Sequence, residues 1–181
     1  MGNFIFEDSS LDNVIQITPK INIGTKDIFI KNFEINTFAE HGINFTATET
    51  YLIREDKLIF RGIHFQDQKP QKRILTVLSG EAYITVVDLD RNSPELGKYE
   101  TFHLTQEEPR LIFVPEWFGV ATISVQNNTT ISVMNSGPYY EQYSTGIRYN
   151  DATLNIPWPV QNFQVSDKDR RLKSLNEYLH S

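Results

Sequence analysis

Short apolar runs separated by turn residues dominate the chain between residues 27 and 135. Several of these runs alternate apolar and polar positions, which is the period of a strand that buries one face. The runs recur about every ten residues, a spacing that favours antiparallel hairpins over βαβ units. The pattern predicts strands at 27–33, 45–53, 58–65, 73–79, 81–89, 99–104, 110–114, 120–125 and 130–134.

The chain changes character after residue 135, where aromatic residues and prolines replace the alternating runs. From Ser166 onward the pattern predicts a helix, because Ser166 and Asp169 have capping-box spacing and leucines recur at positions 172, 175 and 179. The predicted fold class is all-β, a jelly-roll barrel with a short C-terminal helix. We divide this single domain into an N-terminal arm (1–26), a barrel core (27–135) and a segment over the barrel mouth that ends in the helix (136–181).

Composition narrows the classes of function. The chain of 181 residues has no cysteine, which excludes disulfides and thiolate metal sites. Its formal net charge of −6 argues against broad binding to nucleic acid, an affinity that comes from clustered cations. No run approaches the roughly 18 apolar residues of a membrane span, and the N-terminus has no secretory signal pattern. We therefore expect a cytoplasmic protein with neither a membrane nor a nucleic-acid partner.

The candidate chemistry centres on one imidazole. His64 lies within a predicted strand, in the segment RGIHFQ at residues 61–66. A strand histidine is more often a hydrogen-bonded core residue than a catalyst. It acts as a general base where a carboxylate orients the ring and stabilises the imidazolium. No second histidine stands beside it and residues 114–120 contain none, so we expect neither a three-nitrogen metal site nor a cofactor.

Nine short motifs extend this picture over about residues 25 to 172: RGIHFQ (61–66), SGE (79–81), VDL (87–89), SPELGK (93–98), VPE (114–116), YY (139–140), YND (149–151), IPWP (156–159) and SDKD (166–169). Their order resembles the dTDP-4-dehydrorhamnose 3,5-epimerase family, which acts on nucleotide-linked 4-keto-6-deoxysugars. The resemblance implies a jelly roll of the cupin superfamily and a cofactor-independent isomerase. It also implies a homodimer in which an N-terminal strand crosses to the partner.

The same resemblance implies three catalytic residues. It assigns the base to His64 and the carboxylate partner to Asp169, although spacing alone favours a helix-capping role for that acid. Removing a proton α to the ketone leaves an enolate, and the family's enolate-stabilising lysine falls on Arg73. Lys72 is adjacent, and because strand residues alternate between faces only one of the two can reach the cavity. The alternative role for Arg73 is that of a solvated cation at the rim.

Further positions carry implied substrate contacts. Arg61 leads the strand that holds His64 and is the candidate contact for a diphosphate, and Gln66 ends the same motif. Tyr140 is expected to stack on the nucleotide base. Lys26 stands where the family has an arginine and would meet a phosphate as a point charge.

One implied position departs from the family pattern. Counting back from the Tyr139-Tyr140 pair puts Met134 where the family has a proton-donating tyrosine, and a thioether cannot donate a proton. Tyr139, Tyr140, Tyr143 or water would then take that role. We still include Met134 among the residues expected at the substrate pocket.

The resulting hypothesis is a nucleotide-sugar epimerase of bacterial-type deoxysugar and polysaccharide biosynthesis. It abstracts a proton α to the C4 ketone, at C3, at C5 or at both, with inversion at one carbon alone as the narrower outcome. Two alternatives stay open at this point. One is a keto-isomerase on the same class of substrate, and the other is a noncatalytic cupin that binds a sugar nucleotide.

Overall fold

Two large sheets and one small hairpin make up the fold of the computed structural model, which describes residues 3–181. In chain order the strands are β1 (Phe4–Asp8), β2 (Ile15–Pro19), β3 (Ile21–Ile23), β4 (Ile28–Ile30), β5 (Glu49–Glu55), β6 (Ile59–Gln66), β7 (Arg73–Ser79), β8 (Glu81–Asp88), β9 (Tyr99–Thr105), β10 (Leu111–Val114), β11 (Phe118–Ser124), β12 (Thr129–Asn135), β13 (Ser144–Gly146) and β14 (Gln164–Val165). The helices are α1 (Ile35–Glu40), α2 (Asp167–Arg170) and α3 (Leu175–Leu179), and Glu141–Tyr143 forms a 3-10 turn.

The first sheet has the strand order β1-β2-β10-β7-β12-β5, and the second has the order β13-β6-β11-β8-β9. Neighbours along both orders are antiparallel, while β14 adds to β6 in parallel. Strands far apart in the chain lie side by side, as β2 does with β10. Such non-local pairing of two antiparallel sheets is the topology of a jelly roll.

Apolar side chains fill the space between the two sheets. One cluster joins Leu75 and Val133 of the first sheet to Ile84, Leu104 and Val120 of the second. Because strand side chains alternate between faces, the residues between these positions point away from this core and need their own cover.

Both outer faces receive that cover. Phe38 of α1 is fully buried against the outer face of the first sheet, in a cluster that also contains Ile74. On the outer face of the second sheet, Leu175 and Tyr178 of α3 pack with Ile63 of β6. Burial on both faces explains why β11 is buried along its whole length, without the alternation of a half-exposed strand.

The strands predicted from residue 58 to residue 134 agree with β6 to β12 to within two residues at either end. The N-terminal part differs from the prediction. β1 and β2 belong to the first sheet although no strand was predicted before residue 27, and the predicted strand at 27–33 is reduced to β4, which pairs with β3. The predicted strand at 45–53 begins later, at Glu49.

The helical predictions were also incomplete. The sequence pattern missed α1, because its N-cap residue Glu34 makes no side-chain capping bond and the helix covers only Ile35–Glu40. The predicted C-terminal helix is split into α2 and α3. Ser174 starts α3 with a complete capping box to Glu177, which begins a new helix instead of extending the first. No helix among residues 3–181 is long and apolar enough to cross a membrane.

Candidate active site

A cavity of about 340 Å³ opens at one end of the sandwich, between the two sheets. Its first-sheet wall carries Glu49, Tyr51, Arg73 and Asn135, and its second-sheet wall carries Arg61, His64, Phe65, Gln66 and Ser144. Gln71, Tyr139 and Lys168 complete the lining. The cavity contains a histidine, three cations and a carboxylate.

The structure brings together His64 and Asp169, the pair that the family resemblance implies. His64 Nε2 lies 2.7 Å from Asp169 Oδ1, across 105 residues of chain. The side chain of Asp169 is only 4% exposed, whereas that of His64 is 31% exposed to the cavity. A buried carboxylate accepts the Nε2 proton, which leaves Nδ1 as the basic nitrogen of the neutral ring.

Two further groups hold Asp169 in place. The backbone N–H of Gly62 donates to its Oδ2 at 3.3 Å, and the backbone N–H of Asp169 donates to Ser166 Oγ at 3.1 Å. Burial acts to raise the pKa of Asp169, but the hydrogen bond and charge of His64, with the bonds from Gly62 and Ser166, outweigh it and lower the pKa. Ser166 is thus the cap of α2, and the Asp169 carboxylate bonds His64 and Gly62 instead of serving as a capping group itself.

A β-bulge aligns Arg61 with His64. On β11, Val120 and Thr122 are two residues apart, and their Cα partners on β6 are His64 and Arg61, which are three residues apart. One extra residue in β6 therefore keeps both side chains on the same face. Simple alternation would have placed Arg61 and His64 on opposite faces of the sheet.

Arg73 and not Lys72 faces the cavity. Arg73 Nη1 donates to the carbonyl oxygen of His64 at 3.0 Å, which brings the guanidinium next to the base. Burial lowers the pKa of Arg73, while the Tyr51 phenol acts in the opposite direction. Lys72 precedes β7, and its Nζ donates to the carbonyl of Asn44 at 3.1 Å, outside the cavity. The reading of Arg73 as a solvated rim cation does not agree with this burial.

Three side chains form a row across the first-sheet wall. Asn135 is the Cα partner of Arg73 on one side and of Glu49 on the other. Its Nδ2 donates to Glu49 Oε1 at 2.8 Å. Its Oδ1 is buried and makes no hydrogen bond within the described residues. This oxygen can accept a hydrogen bond from a ligand hydroxyl in the cavity.

Met134 lies outside the cavity, contrary to the sequence-based placement. It points to the outer face of the first sheet and packs with the cluster that contains Phe38 and Ile74. Because strand residues alternate between faces, Met134 and its neighbour Asn135 point to opposite sides of the first sheet. Asn135 occupies the position in the cavity wall.

The remaining predicted contacts divide between structural and peripheral positions. Gln66 lines the cavity, but its amide is used internally, donating to the carbonyl of Lys69 at 2.9 Å and accepting from the N–H of Tyr140 at 2.6 Å. The Tyr140 ring lies beneath Lys69 Nζ, and Tyr139 takes its place in the lining. Lys26 is exposed on the turn between β3 and β4 and does not line this cavity.

Glu55 is a buried acid beside the site that the sequence did not single out. Glu55 Oε1 lies 3.6 Å from Arg61 Nε, and Glu55 Oε2 is buried without a hydrogen bond among the described residues. Burial raises the pKa of Glu55 to about 7; the charge of Arg61 opposes this rise and that of Asp169 adds to it. The alternation of positions 49, 51, 53 and 55 along β5 is the signal that places Glu49, Tyr51 and Glu55 on one face.

Across residues 3–181, no group of three or more histidine, cysteine, aspartate or glutamate side chains is arranged to hold a metal ion. The functional groups of the cavity are an imidazole–carboxylate pair, a partly buried guanidinium and polar side chains that face them. This set suits removal of a proton from carbon next to a carbonyl, with the cation beside the oxygen that gains charge.

Comparison with known proteins gives the family. A family model described as dTDP-4-dehydrorhamnose 3,5-epimerase matches residues 8–177. The chain belongs to this family. The dTDP-4-dehydrorhamnose 3,5-epimerase of Methanothermobacter thermautotrophicus is 30% identical over 180 residues, which cover 98% of this chain and 97% of that protein. The dTDP-4-dehydrorhamnose 3-epimerase of Streptomyces niveus is 27% identical over 169 residues, covering 92% and 82% of the two chains.

A solved member of the dTDP-4-dehydrorhamnose 3,5-epimerase family has the same fold. The Legionella pneumophila enzyme, crystallised with dTDP-4-keto-L-rhamnose, superimposes with a TM-score of 0.92 at 27% identity, covering 96% of this chain and 93% of that one. The all-β, cupin-like jelly roll predicted from the sequence is thus confirmed. The chain is an isomerase of the nucleotide-sugar epimerase type.

Proposed function

We propose that this epimerase acts on a dTDP-linked 4-keto-6-deoxysugar, with His64 as the base, Asp169 as its partner and Arg73 as the enolate-stabilising cation. The observation that carries this proposal is the 2.7 Å contact of His64 with the buried Asp169, in a cavity that also holds Arg73. The relatives that act on dTDP-linked 4-keto sugars support the choice of substrate class.

The tautomer of His64 decides which of its ring nitrogens removes the proton. With Nε2–H donated to Asp169, His64 Nδ1 takes the proton from the carbon next to the ketone, and the Asp169 carboxylate stabilises the imidazolium that forms. The electron pair of the broken C–H bond moves to the C4 oxygen. Returning a proton to the other face of the carbon inverts it.

Arg73 meets the charge that develops on that oxygen. Its guanidinium is held by the carbonyl of His64, so it lies beside the base, and burial strengthens its interaction with an enolate oxygen. Burial lowers the pKa of Arg73, but a guanidinium stays protonated at neutral pH.

The diphosphate is assigned to cations at the rim. Arg61 and Lys168 line the cavity on the side of the second sheet and of α2. The side chain of Arg61 is half exposed, so a phosphate can reach its guanidinium. Tyr139 lines the same cavity and supplies aromatic surface for the base of the nucleotide.

A homodimer is the proposed assembly. The hairpin of β3 and β4 exposes Ile23 (79%), Ile28 (64%) and Phe29 (58%), an apolar surface that a second copy would cover. Lys26 lies on the turn of this hairpin, away from its own cavity, and in a dimer the hairpin would carry it to the partner's diphosphate. Light scattering should give a dimer mass for the wild type and a monomer mass for an Ile23→Ser, Phe29→Ser variant. Ile35→Ser, an exposed change on α1, is the control.

The direct test is hydrogen exchange at carbon. The purified protein is incubated with dTDP-4-keto-6-deoxyglucose in deuterated water, and C3 and C5 are followed by NMR. We expect deuterium and inversion at one carbon or at both, with both lost in His64→Asn. Exchange at one carbon alone would support the narrower outcome predicted from the sequence. Binding of the sugar nucleotide with no exchange would reject the enzymatic proposal in favour of a noncatalytic binding protein.

A further inference from the structure

We propose that Tyr51 is the general acid that delivers a proton to the sugar carbon on the face opposite His64. This inference rests on the proposed epimerase reaction, in which the base removes a proton from one face and inversion requires a donor on the other. Tyr51 was not among the residues that the sequence singled out.

The two sheets place Tyr51 and His64 on opposite sides of the cavity. His64 projects from β6 of the second sheet, and Tyr51 projects from β5 of the first sheet, two residues beyond Glu49 and on the same strand face. An enolate is planar around the reacting carbon. A sugar ring held between the walls therefore presents one face to the imidazole and the other to the phenol.

Arg73 places the phenol near the reacting carbonyl. Burial lowers the pKa of Arg73, and the interaction that opposes this lowering comes from Tyr51, so the phenol oxygen lies within electrostatic range of the guanidinium. The same guanidinium is bonded to the His64 carbonyl. Base, oxyanion donor and phenol thus line the same cavity.

The neighbouring side chains cannot supply the proton as readily. Asn135 is an amide, and Glu49 accepts hydrogen bonds from Asn135 Nδ2 and, at 3.4 Å, from the N–H of Tyr139. Tyr139 lines the cavity but follows Pro138 on a loop and is 52% exposed. Tyr140 lies under Lys69 and packs against Tyr143, and neither ring lines the cavity. Tyr51 is the phenol carried on a strand.

The proton balance closes without any other reactant. The sugar C–H bond breaks to His64 Nδ1, its electron pair forms the enolate, and the enolate carbon then forms a C–H bond with the Tyr51 hydroxyl proton. Tyr51 is 43% exposed and the His64 side chain 31% exposed. Water therefore reprotonates the tyrosinate and accepts the proton of the imidazolium, and the hydrogen on the inverted carbon comes from solvent.

The experiment separates proton removal from inversion. Wild type, Tyr51→Phe, Tyr139→Phe and Tyr83→Phe are incubated with dTDP-4-keto-6-deoxyglucose in deuterated water. NMR measures both deuterium uptake with retained configuration and inverted product. Tyr83 is the control, a strand tyrosine that stacks on His103 outside the cavity.

We expect Tyr51→Phe to lose inversion about 100-fold or more, the usual scale of general acid catalysis. Exchange with retention should stay within about tenfold of the wild-type exchange rate, because the protonated His64 returns deuterium to its own face.

Each other result has a definite meaning. Inversion by Tyr51→Phe within about threefold of wild type, an equal loss of exchange and inversion, or the same split in Tyr139→Phe alone would each overturn the assignment of Tyr51. If the wild type itself neither exchanges nor inverts the sugar, the proposed function fails first. Circular dichroism and binding of dTDP to each variant show that the protein is folded and that the cavity is intact.

Discussion

The two walls of the cavity are built differently. On the second-sheet wall, Asp169 has both carboxylate oxygens occupied, by His64 and by the N–H of Gly62, and its own N–H is capped by Ser166. On the first-sheet wall, Asn135 Oδ1 has no partner among the described residues, and Tyr51 is 43% exposed. The carboxylate that orients the base is fully bonded without a ligand, whereas the opposite wall has an amide oxygen without a partner and a half-exposed phenol.

This difference distinguishes the support of the base from the groups that meet the substrate. A base must keep one orientation and one tautomer, and a buried network with every member paired holds both. Recognition of a substrate hydroxyl instead requires groups that lack a partner until the substrate arrives, because an unmade buried hydrogen bond has a cost that binding removes. We therefore expect substitutions of Asp169 to reduce the rate of proton removal, and those of Asn135 and Tyr51 to change which sugar reacts and how it is reprotonated.

The largest effect is expected from Asp169→Asn, which tests the second-sheet wall. The amide cannot stabilise the imidazolium, so kcat should fall by about 10³ to 10⁴ while dTDP binding persists. Single-turnover kinetics and dTDP titration measure the two quantities. Asp167→Asn, an exposed change on the same helix, is the matched control. A kcat within about tenfold of wild type would mean that the His64–Asp169 pair has a structural role only.

Arg73→Met should have the next largest effect and tests whether the first-sheet wall also contributes to chemistry. Loss of the cation that faces the enolate oxygen should lower kcat by about 10² to 10³, with partial recovery in Arg73→Lys. Lys72→Met serves as the comparison, because Lys72 Nζ is bonded to Asn44 outside the cavity. Equal losses in the Arg73 and Lys72 variants would contradict the assignment.

Gly62→Ala tests the part of β6 that supports His64, with the free energy of unfolding as the measured quantity. Gly62 has φ of +134°, and an added Cβ would lie 2.6 Å from the Cα of Ala121 on β11. We expect unfolding free energy to fall by about 2 to 3 kcal/mol, measured by urea denaturation, with a parallel loss of activity. Gly137→Ala is the control, since its nearest neighbour would be Gln71 Cγ at 3.6 Å. Unchanged stability in Gly62→Ala would show that β6 and β11 can separate at the bulge.

The smallest effect concerns Glu55, which lies between Arg61 and Asp169. Its pKa is about 7 in the folded state against an ordinary 4.5, so the folded protein binds a proton that the unfolded chain lacks between these pH values. Stability due to this group is therefore greatest below pH 4.5 and is lost as pH rises through about 7.

Replacing Glu55 with Gln removes this dependence. Glu55→Gln should be more stable than wild type by about 1 kcal/mol at pH 8, with the difference shrinking toward pH 4.5. Thermal unfolding across this pH range measures the effect, and Glu107→Gln on an exposed turn is the control. A variant less stable than wild type at pH 8 would mean that the ion pair with Arg61 outweighs the cost of burying the carboxylate.

The central strands were predictable from the sequence because their local pattern and their final environment agree. Runs from residue 58 to residue 134 are apolar enough to be buried on one or both faces, and turn residues separate them. The N-terminal strands were missed because β1 and β2 gain their stability from pairing with each other and with β10, a contact that local sequence does not express. Helix α1 was missed because it lacks a side-chain cap and is held by burial of Phe38.

The sequence by itself determined an all-β jelly roll, the motif that carries His64, and the residue types needed to remove a proton next to a ketone. The tertiary structure decided the geometry of those residues. His64 and Asp169 meet across 105 residues, Arg73 and not Lys72 faces the cavity, and Asn135 and not Met134 lines its wall. The physical reason is that a bulge or a turn shifts strand register by one residue, and one residue moves a side chain to the opposite face of the sheet.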